Sequence, residues 1–152
     1  MAWTEFKATD ASTLSKFVAL QQTAGPFYAS KFDTTYLTTL MGAREGVRTF
    51  NYDDGTNVMN LGTCVNKDTL VMMVMGLGKY KDFNTAVDIM CKQVQAVFKD
   101  SGVHKIMAVW SEDANADQRK FFEAVAKGGE KYGAKNIVFE VTGGTTKVTM
   151  DA

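Results

Sequence analysis

The sequence predicts one α/β domain over residues 1–152, a central mixed β-sheet of about seven strands flanked by about four helices. Three observations predict it. Some segments carry apolar residues in short extended runs, and others repeat them every three or four positions, so both strand and helix periods are present. The segments follow the order strand, helix, helix, three strands, helix, strand, helix, two strands. Finally, an unbroken apolar run, TLVMMVM at residues 69–75, is followed by a long amphipathic segment and a second apolar run, HKIMAVW at 104–110. That arrangement fits a parallel pair joined by a crossover helix.

The elements are justified in chain order. WTEFKAT, residues 3–9, reads as a short strand. Asp10 or Ser12 can cap a helix whose apolar positions are Leu14, Phe17, Val18 and Leu20. QTAGPFYAS, with the chain's single proline at Pro26, breaks it. A second helix is expected over 34–41, with Gly42 as its stop. Strands follow at 47–52 and 58–65, joined by the hairpin signal Asp53-Asp54-Gly55, and a turn at Asn66-Lys67-Asp68 leads into 69–75. This last strand lacks alternation, so it is expected at the sheet's centre with both faces covered. Gly76 and Gly78 loosen the backbone after it. Phe83, Ala86, Val87, Met90, Val94, Val97 and Phe98 then keep helical spacing over four turns, and Gly102 is a suitable end. The strand at 104–110 precedes a helix within DANADQRKFFEAVAK. NIVFEVT (136–142) and TKVTM (146–150), joined by Gly143-Gly144, read as a closing hairpin.

Composition removes several classes of function. Lys plus Arg equals Asp plus Glu, 17 each, so bulk charge does not point to nucleic acid or an anionic membrane. Cys64 and Cys91 with the lone His104 form no zinc pattern, and two buried reduced thiols are expected. Asp53, Asp54 and Asn57 could hold a cation, but a hairpin turn accounts for them. The start, MAWTEFKATD, lacks a signal-peptide pattern, and no stretch reaches membrane-span length, so a cytoplasmic protein is expected.

Three stretches carry a family resemblance. TEFKATDASTLSKFVALQ is similar to an opening strand, acidic turn and first helix. KDFNTAVDIMCKQV lies where a pyrophosphate-binding loop and its helix would fall. NADQRKFFEAVAK is similar to a late N-x-x-A-x-x-F-Y helix. Together, in this order and over nearly the whole chain, they resemble the GNAT fold of N-acetyltransferases that use acetyl-CoA.

The resemblance implies a set of site residues. The family's Q/R-x-x-G-x-G/A loop lets backbone N–H groups at a helix N-terminus approach a diphosphate. Its best match runs from Lys81 to Ala86, with Lys81 for the basic or amide residue, Asn84 for the first glycine and Ala86 for the last small residue. Two departures stand out: Asn84 brings a side chain, and Asp82 adds a negative charge beside the expected anion. In the late helix Asn115 matches an asparagine that helps hold the cofactor arm, and Phe121 matches the phenylalanine. Phe122 stands where a tyrosine commonly protonates the leaving thiolate, and phenylalanine has no O–H to give. Under this alignment Phe121 packs into the sheet and Phe122 points toward the cleft. On the residues alone, Asn115 reads as a helix cap with Gln118 completing a capping box, and Phe122 as core or an interface anchor.

A transferase also needs a base. The 69–75 strand has no ionisable residue, which leaves Asp68, Glu112 or Asp113 acting through a water, while His104 has no assignable triad partner. Two functions follow. In the first, the chain is a degenerate GNAT relative, similar to the acetyltransferase-like virion proteins of short-tailed phages. It then needs no cofactor and acts as a binding or structural component with a protein partner or as a homo-oligomer. In the second, it is an acyl-CoA-dependent N-acyltransferase of unknown acceptor that uses acetyl-CoA.

Overall fold

The computed structural model describes residues 3–7, 10–23, 25–31, 33–42 and 44–152. Strand β1 (Trp3–Phe6) leads into α1 (Ala11–Gln22). Residues 8 and 9 of the expected first strand lie outside the described residues. Asp10 caps α1 by accepting from the Thr13 backbone N–H, and Leu14, Phe17 and Val18 are buried along one face. The stretch expected only to break the helix instead starts a new one, α2 (Pro26–Lys31). The physical reason is that proline at a first helical position loses no hydrogen bond and already has a helical φ. Helix α3 (Thr34–Gly42) follows, so the described residues hold five helices rather than four once α4 (Phe83–Ser101) and α5 (Ala116–Gly128) are included.

The other strands are β2 (Glu45–Asp53), β3 (Val58–Asn66), β4 (Thr69–Leu77), β5 (Lys105–Ser111), β6 (Lys135–Thr142) and β7 (Thr145–Asp151). They form one seven-stranded sheet in the order β1-β2-β3-β4-β5-β7-β6. As expected, β4 is central, antiparallel to β3 and parallel to β5. A 3-10 turn at Gly129–Tyr132 connects α5 to β6. The β6–β7 hairpin closes through Gly143 and Gly144 at φ 58° and 79°, the two positive values that a tight two-residue turn requires. At β2–β3, Asp54 accepts from the backbone N–H groups of Thr56 and Asn57, so that acid serves the turn.

Strand β4 differs from its expected description in one respect. Its first half alternates between buried and half-buried residues, and only its second half is covered on both faces. The cause is a register shift. Gly62 pairs with Val74, but Thr63 pairs with Met72, so Met73 is an extra residue that reverses the facing of the strand beyond it. Gly76 is part of the strand, contrary to the loosening role expected of it. A Cβ there would collide with the side chains of Gln21 and Asn60, which are fully buried and joined by a hydrogen bond from Gln21 to Asn60. The glycine makes room for that amide pair.

The core is one cluster that spans the sheet and its helices. Helix α4 buries Ala86, Met90, Cys91, Val94 and Val97, close to the spacing read from the sequence. Val94→Ala is expected to lower the unfolding free energy by about 1–3 kcal/mol through lost transfer energy and a small cavity, checked by urea denaturation. Both cysteines are free and buried, and burial pushes the Cys91 thiol up to about 11.

Acid sensitivity follows from the surface carboxylates. The Tyr132 hydroxyl and then Lys92 hold Asp88 down to about 2, and Thr85 lowers Asp82, Arg48 lowers Glu5, and the turn N–H groups lower Asp54. A lowered folded-state pKa adds stability above the unfolded value that is lost as pH falls through the folded one. Melting temperature should therefore hold steady toward about pH 5 and drop between about pH 4 and 2. Asp88→Asn should flatten part of that slope in a thermal scan series.

Candidate functional site: the gap between the central strands

Strands β4 and β5 are paired from Thr69↔Lys105 to Met72↔Ala108, and then they part. Strand β4 continues to Leu77 and β5 to Ser111 without a ladder between them. The separation begins at the extra residue Met73, because the bend there turns β4 away from its neighbour. A gap in the middle of a sheet leaves backbone N–H and C=O groups that must find other partners.

Helix α5 supplies them. The Gln118 side chain is buried and meets Leu77 twice. The Leu77 N–H donates to Gln118 Oε1 at 3.2 Å, and Gln118 Nε2 donates to the Leu77 carbonyl. One side-chain amide thus stands where a neighbouring strand, or an amide-bearing ligand, would pair with β4. The capping box expected at Asn115 and Gln118 does not form, because this buried backbone outcompetes the exposed helix end for the glutamine. Asn115 occupies the N-cap position without a side-chain cap bond, and its Nδ2 donates to the Thr23 carbonyl at 2.7 Å, tying α5 to the end of α1.

Deeper in the gap lie two rings. Phe122 packs on Trp110 with centroids 5.4 Å apart, and both are buried. Phe121 has no exposed surface and meets Phe83 of α4 edge-on at 6.3 Å. The adjacent phenylalanines therefore serve different neighbours, Phe121 the α4–sheet core and Phe122 the gap. Tyr28 also lines the gap; the Ser111 N–H donates to its oxygen at 3.4 Å, and burial raises the phenol's pKa.

The loop matched to a diphosphate cradle sits at the N-terminus of α4. Asp82 caps this helix, accepting from the Thr85 N–H at 3.0 Å and the Thr85 hydroxyl at 2.6 Å. A carboxylate already uses the site's N–H donor and its favourable dipole end. Lys81 and Asn84 are exposed, while Ala86 is fully buried in the core beneath the helix. Ala86 therefore presents no side chain at the surface that carries Lys81 and Asn84.

The candidate bases lie in two places, Asp68 just before β4 and Glu112 and Asp113 just after β5. Asp68 precedes Met73 by five strand positions, about 16 Å at about 3.3 Å per residue, and it contacts exposed His104 at 2.8 Å. Glu112 accepts from the Thr146 hydroxyl and lies 3.9 Å from Arg119. Asp113 is exposed beside the outer hollow of the gap, whose lining includes Tyr36, Arg44 and Met107. Among the described residues, no group of three or more His, Cys, Asp or Glu side chains could hold a metal ion. No helix of the described residues is long and apolar enough to cross a membrane.

A seven-stranded mixed sheet with its central parallel pair parting beside a late helix is the GNAT fold, and solved structures agree. The PaiA N-acetyltransferase of Thermoplasma acidophilum, in complex with coenzyme A, matches with a TM-score of 0.64 at 9% identity over 100% of both chains. The ribosomal-protein-S18-alanine N-acetyltransferase of Escherichia coli matches at 0.60 and 13% identity, over 98% of this chain and 90% of the other. The aminoglycoside 6'-N-acetyltransferase of Enterococcus faecium matches at 0.62 and 9% identity, over 100% and 96%. At such identities the likeness establishes the fold. No protein-family model and no curated sequence matches the chain.

Gln118 was read from the sequence as part of a capping box, and its place against β4 was not foreseen. The signal was present: in the N-x-x-A-x-x-F-Y pattern, this chain has glutamine where the pattern has alanine.

Proposed function

We propose that this chain is a GNAT-fold protein without acetyl-transfer activity that serves as a binding or structural component, with a phage virion as the setting its sequence resemblance suggests. The observation that carries this reading is the Gln118 amide on the Leu77 N–H and carbonyl. A pantetheine arm that paired with β4 in the gap would have to displace a buried side chain and its two hydrogen bonds. Asp82 on the α4 N-terminus adds a negative charge where a diphosphate would need donors. Acetyl-CoA therefore does not fit the residues present.

The second reading is an acyl-CoA-dependent N-acyltransferase with an unidentified acceptor. The GNAT fold favours it, as does the Tyr28 phenol in the gap, a hydroxyl that could replace the one Phe122 lacks.

Thiol release from acetyl-CoA over a panel of amines separates the two, with wild type compared with Phe122→Tyr and Tyr28→Phe. General acids are worth about 10²–10⁴-fold where a site is otherwise assembled. The structural reading expects no turnover in any of the three proteins. Wild-type turnover abolished by Tyr28→Phe would establish the transferase, and turnover in Phe122→Tyr alone would mark an enzyme silenced at one position.

A further inference from the structure

Gln21 of α1 is a fully buried amide, and its Oε1 has no hydrogen-bond partner. The neighbouring hydrogen bonds fix this orientation. Asn60 Nδ2 donates to the Phe17 carbonyl at 3.0 Å, and a carbonyl can only accept, so Asn60 turns its Oδ1 toward Gln21. Gln21 must then present Nε2 as the donor to Asn60, which leaves Oε1 as the unpaired acceptor. Turning the amide over would set two oxygens against each other. A buried acceptor without a partner is costly, and protein interiors ordinarily satisfy one with a protein donor or with water.

The space beside it suits water. Gln21 lines a cavity in the gap together with Tyr28, Met75, Trp110 and Phe122, and about 20 Å³ of it is open to water. One water needs about 10–15 Å³ and two to four polar partners. Strand β4 offers the other partners. Leu77 turns both its N–H and its carbonyl to Gln118, so by the strand period of two Met75 turns both of its own toward the gap. The register is regular from Val74 to Leu77, so no bulge disturbs that alternation, and β5 pairs with β4 only as far as Met72.

Two acceptors, Gln21 Oε1 and the Met75 carbonyl, thus meet one donor, the Met75 N–H, at a space the size of a water. We infer that a single long-lived water is bound there, donating to both acceptors and accepting from the N–H. The chemistry selects water. A cation such as ammonium could not accept from the N–H, and an apolar filling would leave all three groups unpaired. Gln118 completes β4 at Leu77, and this water completes it at Met75. The water joins α1 to the strand as the glutamine joins α5. The inference concerns the protein without ligand and does not depend on the reading of acetyl transfer above.

Water-selected NOESY and ROESY spectra of the isotope-labelled protein test this. The Met75 amide proton should show a water cross-peak of opposite sign in the two spectra, the mark of a water bound far longer than surface hydration. Direct exchange of the amide would give the same sign in both. The peak should persist in Tyr28→Phe, which removes the hydroxyl that could relay water protons from the same cavity. It should be lost in Gln21→Met, which keeps the length of the side chain without its acceptor. Should Gln21→Met fail to fold, the wild-type and Tyr28→Phe spectra decide the matter alone. A wild-type Met75 amide without such a peak, a peak undiminished in Gln21→Met, or one that vanishes in Tyr28→Phe would overturn the inference.

Discussion

Phe121→Ala is expected to lower the unfolding free energy by about 3–5 kcal/mol, a large share of the about 5–15 kcal/mol that holds a domain folded. The ring has no exposed surface, and it joins α5 to α4 by its edge-on contact with Phe83. Its removal takes away transfer energy and leaves a cavity between two helices that the sheet beneath prevents from closing. Equilibrium urea denaturation measures the effect. A midpoint shift no larger than that of an exposed position such as Lys120 would show that α5 is not anchored there.

Gln118→Leu should cost about 2–5 kcal/mol although it adds apolar volume to a buried position. Leucine leaves both the Leu77 N–H and the Leu77 carbonyl without a partner, and each orphaned buried group costs about 1–3 kcal/mol. Gln118→Ala should cost less, because the smaller side chain lets water reach the strand. The local readout is hydrogen exchange at the Leu77 amide, slow in wild type and fast in Gln118→Ala. Slow exchange in both would mean that the amide is held by something other than Gln118.

The fold was legible in the sequence wherever periodicity was strong. The unbroken run at β4, the four-turn stripe of α4 and the two-glycine hairpin each express a single local rule, and each stands where that rule puts it. Helix α2 escaped because a proline after a glycine reads equally as a break and as a first helical residue. The extra residue at Met73 escaped because a run of methionines and valines looks the same on either face. Asn115 holds the N-cap position read for it, but the capping box failed for a different reason: cap geometry is local, and both side chains bond partners far away in sequence, Thr23 and Leu77. Such contacts are fixed only once the sheet has brought α1, β4 and α5 together.

At Leu77 the gap beside β4 is closed by the protein's own Gln118 amide. Calorimetric titration of acetyl-CoA into the wild-type protein tests it most directly. No binding heat is expected up to about millimolar ligand, the range in which affinity falls to about 4 kcal/mol. Saturable micromolar binding that weakens on Lys81→Ala would contradict it, for the ligand would then have displaced Gln118 from Leu77 and seated its diphosphate beside Asp82.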